Sequence, residues 1–135
     1  MKIRSTLMIV AAALIVAAVA PVFAHHSFAA EFDANQPTTL TGAVTKLDWI
    51  NPHARLFIEV KGSDAKVANW EIELGPPAIL MRNGWTKNSL KAGDVVTVNG
   101  SLAKDGSNLA NARSVTLADG TKVFAGSSAE NQTNQ

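Results

Sequence analysis

Through the middle of the chain, apolar and polar residues alternate in short runs divided by turn residues, a period of two that predicts strands. The clearest run is Arg55 to Val60, with Leu56, Ile58 and Val60 on one side and Arg55 and Glu59 on the other. Val67 to Leu74 repeats it: Trp70, Ile72 and Leu74 share a side, and Glu71 and Glu73 take the opposite one, ordinarily a strand's solvent face. Thr39 to Ile50 is rich in β-branched residues. Its alternation holds through Leu40, Gly42 and Val44 and then changes phase, so that Leu47 and Trp49 follow. Such a change predicts a bulge or strong coiling, which Gly42 would permit. Val95–Leu102 and Asn111–Leu117 predict two more strands, and Thr121–Phe124 a short edge strand. Asn51-Pro52, Gly62-Ser63-Asp64, Asp105-Gly106-Ser107-Asn108 and Asp119-Gly120 supply the turns. The pattern changes once, at Pro77-Ala78-Ile79-Leu80-Met81-Arg82-Asn83, where proline opens a short helix and Gly84 stops it. Trp85 and Leu90 follow as loop anchors.

The order β-β-β-α-β-β predicts an all-β fold, a five-stranded barrel of the oligonucleotide/oligosaccharide-binding type. A long coiled first strand suits it, because that strand serves both sides of the barrel. A two-layer α+β sheet and a small sandwich are the competing architectures.

The ends read differently. Lys2 and Arg4 precede an unbroken apolar run from Leu7 to Val19, then Pro21 and Val22-Phe23-Ala24. These are the three parts of a secretory signal, with a cut expected after Ala24. The run is too short to span a bilayer comfortably, so no stable membrane anchor is expected. The expected organisation is a cleaved signal over 1–24, an arm over 25–38, the barrel over 39–125 and a disordered polar tail over 126–135. The expected location is the periplasm or the extracellular medium. In the arm, Phe28 and Phe32 stand four apart, so one helical turn puts both on one side, and Asn35-Gln36-Pro37 reads as a turn.

Composition narrows the function. Removing the first 24 of the 135 residues leaves 111, one small domain. The whole chain carries 12 Lys plus Arg against 11 Asp plus Glu. Two of the basic residues lie in the signal, so the mature charge is −1, which argues against nucleic-acid binding. No cysteine is present, which excludes disulfides, thiolate metal sites and cysteine nucleophiles.

The candidate chemistry lies with the histidines, His25, His26 and His53. A cut after Ala24 would leave His25 N-terminal, able to chelate through its amine and ring together. A third nitrogen from His53 would complete a T-shaped set that suits copper. The other arrangement uses the amine, the intervening amide and the His26 ring. Both need neutral imidazoles, so binding should weaken in acid. Laid flat, the twelve residues of the first strand would hold the arm and His53 about 40 Å apart, at roughly 3.3 Å per residue. An arm with a helical turn reaches only if the barrel's curl brings the two ends together. The alternative is a non-metal reading: an accessory or interaction module that presents Trp49, Asn51 and Arg55 to a small ligand, a glycan or a protein of the cell envelope. Carboxylates offer little: Glu71 and Glu73 read as a solvent face, and Asp48 with Arg55 as a cross-turn ion pair. No catalytic residues are assigned, and an enzyme is the reading with least support.

Several motifs together carry a resemblance. His25-His26-Ser27-Phe28, Trp49-Ile50-Asn51-Pro52-His53, Gly84-Trp85-Thr86, Leu90-Lys91-Ala92-Gly93-Asp94 and Ala110-Asn111-Ala112-Arg113-Ser114-Val115 are together similar to a family of small exported bacterial proteins of unknown function. The resemblance covers the chain from His25 to about Ser127. It implies a signal peptide and one compact β domain, and no reaction.

Overall fold

The computed structural model describes residues 28–126. A four-residue helix α1 (Phe28–Glu31) leads into β1 (Phe32–Asp48), followed by β2 (Arg55–Lys61), β3 (Val67–Glu73), helix α2 (Pro77–Arg82), β4 (Val95–Ala103), β5 (Leu109–Leu117) and β6 (Lys122–Phe124). The sheet runs β3-β2-β1-β4-β5-β6, and a parallel pairing of β3 with β5 closes the first five strands into a ring. The remaining pairings are antiparallel. This is the expected all-β barrel, with its helix between the third and fourth strands and β6 added to the edge of β5.

Closure depends on β1. Its first part pairs with β4, as far as Ala43 opposite Val95. From Ala43 onward it pairs with β2. The change of partner needs a bend, and the register slips between Val44 and Lys46. The extra residue turns the inner face from Leu40 and Val44 to Leu47, which is the phase change seen in the sequence. Gly42 serves the bend in another way. A Cβ there would lie 2.4 Å from the Glu59 carbonyl oxygen, so glycine lets the crossing strand approach.

β1 starts at Phe32, well before the expected Thr39, and Asn35-Gln36-Pro37 is an irregular stretch of the strand. Asp33 bridges that stretch by accepting hydrogen bonds from the Asn35 amide (2.9 Å) and Gln36 Nε2 (3.0 Å). The short helix forms where the Phe28–Phe32 spacing predicts it. The two rings stack with centroids 5.6 Å apart.

Two apolar clusters result. Inside the barrel, Leu56, Ile58, Ile72, Leu74, Val98 and Val115 are fully enclosed, and Leu80 of α2 plugs one end. Trp85 is buried with this core and its Nε1 donates to the Phe124 carbonyl at 3.1 Å, which satisfies the indole. The second cluster lies outside the ring: Phe28 and Phe32 pack on Ala103, with Leu109 beside them. Lys104 holds α1 in place, donating from its amide to Glu31 O (2.9 Å) and from Nζ to Ala29 O (2.6 Å).

Candidate metal site on the outer face

His53 is placed by backbone bonds on either side of it. It follows a cis Asn51–Pro52 bond. Ala54, next in the chain, is fully buried and extends the β2–β3 ladder, donating to Gly75 O (3.1 Å) and accepting from the Leu74 amide (2.9 Å). Side chains alternate across a strand, so His53 and Arg55 both face outward while Ala54 and Leu56 face in. Arg55 lies opposite Glu73 on β3, and Glu73 lies opposite Asn111 on β5.

These positions bring three polar side chains around one carboxylate. Glu73 Oε1 lies 3.3 Å from His53 Nδ1 and accepts from Asn111 Nδ2 at 3.1 Å. Glu73 Oε2 lies 3.4 Å from Arg55 Nη2, and Arg55 Nη1 donates to Glu71 Oε1. Glu73 is only 4 % exposed and Asn111 2 %, although both point away from the barrel interior. Ser101, opposite Asn111 on β4, is also buried. A polar row therefore crosses β2, β3, β5 and β4 on the outer face, buried at Glu73, Asn111 and Ser101 and partly open to water at Arg55.

Glu73 is thus not on a solvent face. Alternation correctly placed it opposite Ile72 and Leu74, but the outer face is itself covered here. Sequence reasoning also passed over Asn111. The available signal was local: Asn111 stands between two alanines that both face the core, Ala110 and Ala112. Its outward side chain had to find a partner on the next strand.

The other expected site residues are placed as follows. His25 and His26 lie outside the described residues. Trp49 is half-buried and packs against the main core, and Trp70 does the same from β3. Asn51 is exposed. Arg55 is engaged by the two glutamates. Asp48 stands opposite Arg55 but pairs with Lys46 at 2.8 Å instead.

The local charge does not balance when the imidazole is neutral. Glu71 and Glu73 contribute two formal negative charges and Arg55 one positive charge. Among the described residues, no three His, Asp or Glu gather closely enough to hold a metal ion. The described part of the site offers one imidazole, one buried carboxylate and one carboxamide.

The curl of the barrel shortens the path from the arm to His53. Leu109 packs against the cluster that Phe28 forms with Phe32 and Ala103, and it pairs with Glu71. Asn111, next to the Glu73 carboxylate, is two residues farther along β5, about 7 Å. The arm's first described residue therefore sits on the side of the barrel formed by β4 and β5, the strands that carry Ser101 and Asn111. The long route along a flat strand does not apply.

A comparison with curated proteins finds no match. A family model matches residues 12–112, which include the Asn51-Pro52-His53 turn, Glu73 and Asn111. On that match, the chain belongs to a family of unknown function, DUF6152.

Proposed function

We propose that this protein is exported, loses residues 1–24, and binds a transition metal, copper first, at the outer face of its barrel. The observation that carries this reading is the His53–Glu73 pair. A metal-binding histidine commonly gives its other ring nitrogen to a carboxylate, which fixes the ring and its tautomer. Here Nδ1 faces buried Glu73, which leaves Nε2 for a ligand. The excess negative charge beside it favours a cation.

The remaining donors come from the mature N-terminus. His25 stands three positions before Phe28, an extended reach of roughly 10 Å. The proposal requires that reach to carry the His25 amine from the Phe28 seat to His53. The amine and ring of His25 with Nε2 of His53 make a three-nitrogen set, and His26 is the alternative second imidazole. Nitrogen donors without thiolate suit Cu(II). The interaction-module reading has less support, because Trp49 packs on the core and Arg55 is held by two carboxylates.

The test starts with intact mass, which should show a chain beginning at His25. Cu(II) titration of that tag-free protein then compares His25→Ala and His53→Ala. Both variants should lose tight binding. If both bind as the parent does, and weakly, the metal reading is wrong. If only His25→Ala and His26→Ala lose binding, the site is an N-terminal chelate that does not use the barrel.

A further inference from the structure

A second site is carried by the outer face nearer the β1 bulge, away from the histidines. Lys46, Phe57 and Glu71 lie in one row across β1, β2 and β3. They border a groove of about 480 Å³. A phenylalanine in the middle of an outer sheet face, half-buried with charges on either side, does not serve the barrel core. Its neighbours extend the groove. β3 pairs with β5 only over Glu71–Glu73, so Asn69 and Trp70 have no strand beyond them and Trp70 stays half-exposed along the groove. Asn108, in the turn before β5, closes the end, its carbonyl accepting from the Glu71 amide at 3.0 Å.

The chemistry of the lining selects the ligand. Both flanking charges are already paired: Lys46 with Asp48 at 2.8 Å, and Glu71 with Arg55. An anion or cation would have to break an ion pair to bind. The backbone groups of β2 beneath the groove are used in the ladders on both sides, so the floor offers side chains rather than a strand edge. What remains is an aromatic face at Phe57, the edge of Trp70, and the carboxamides of Asn69 and Asn108. That set suits a neutral ring with an apolar C–H face and hydroxyls at its edge.

We infer that this groove binds a neutral saccharide, stacked on Phe57 and hydrogen-bonded by Asn69 and Asn108. The groove shares the Glu71–Arg55 pair with the surroundings of His53, but its ligand contacts use neither the histidines nor a metal, so it stands or falls without the metal reading. Lys46 Nζ lies 5.5 Å from the Phe57 ring centre. Its side chain is mostly exposed, so its stem can tilt off the ring with the Asp48 pair kept as the sugar takes its place.

The test is an amide and indole NMR titration of the tag-free mature protein with cellotriose, maltotriose and triacetylchitotriose, each to about 10 mM. At least one should shift the side-chain signals of Asn69, Asn108 and the Trp70 indole together. Phe57→Ser should weaken that binding by about tenfold or more. Asn108→Ala, in an exposed turn, should weaken it without touching the sheet, and His53→Ala should leave it unchanged. Absence of shifts with all three sugars overturns the inference, as do shifts that persist in both variants. Shifts produced instead by a charged hexuronate oligomer overturn the neutral-ligand assignment.

Discussion

Ile72 and Glu73 are consecutive, equally hidden from water, and on opposite faces of one strand. Ile72 faces the closed interior, where every neighbour is apolar and burial itself supplies the stabilisation. Glu73 faces outward, where burial is unfavourable unless every lone pair finds a donor. Asn111 donates a hydrogen bond to it, and His53 and Arg55 stand within ion-pair distance. The inner face is therefore what a small barrel needs in order to fold. The outer polar row is not needed for folding, since an apolar patch would cover the same strands at less cost. That contrast is why the proposed site is put on the outer face, at the desolvated carboxylate beside the imidazole.

Substitution separates the two faces most directly at these neighbours. Ile72→Ala should reduce stability by about 2–5 kcal/mol, read as a lower urea midpoint, because the ring of strands cannot collapse onto the gap. It should leave copper affinity unchanged wherever the protein is folded. Glu73→Ala should cost less, about 1–3 kcal/mol, by leaving Asn111 and Arg55 partly unsatisfied. An equal or greater loss at Glu73 would mean that the polar row is structural and the contrast between the faces is misplaced.

Glu73→Gln sharpens the contrast further. It keeps the shape and a hydrogen-bonding oxygen but removes the charge. Its stability change should be smaller than that of Glu73→Ala, while copper affinity should fall by about 10- to 100-fold, the usual effect of losing a carboxylate behind a metal-binding histidine. His53→Ala, at a side chain 20 % exposed, should change stability by less than about 1 kcal/mol and still abolish tight copper binding. Parallel losses of stability and affinity in both variants would reduce the site to a fold element.

The same contrast explains what could be read from the sequence. Alternation gives the inner face directly: Leu56, Ile58, Ile72 and Leu74 all lie where the period of two puts them. The slip after Val44 is visible as a change of phase. Pro77 and Gly84 bracket the helix, and Gly84 takes a left-handed φ of 86° at its stop. The outer row could not be read in this way. A period of two says only that Glu73 points away from Ile72, and is silent on what covers that side. The closing pairing of β3 with β5, which sets Asn111 beside Glu73, joins residues 38 apart and leaves no local trace.

The smallest expected effects come from polar groups that are neither buried nor part of a site. Asp105 and Asp119 each fold back on the next residues of an exposed turn, and Asp33 does so in the irregular stretch of β1. Asp105 Oδ1 accepts from Ser107 Oγ (2.6 Å) and the Ser107 amide (2.9 Å), Asp119 from the Thr121 amide (2.8 Å), and Asp33 from the Asn35 amide (2.9 Å). These bonds favour the charged form and hold all three carboxyls below their ordinary value of 3.8. The sign follows from linkage. A depressed carboxyl contributes stability above its unfolded value, and that contribution is lost as the pH falls through the lower folded value. Carboxyl-carbon NMR should therefore place all three midpoints below 3.8, while Asp105→Asn barely moves the urea midpoint at neutral pH. A midpoint at or above 3.8 for Asp105 would mean that its turn does not persist in solution. A large stability loss in Asp105→Asn would show that exposed polar contacts matter here as much as the buried row, and the distinction drawn from Glu73 would no longer hold.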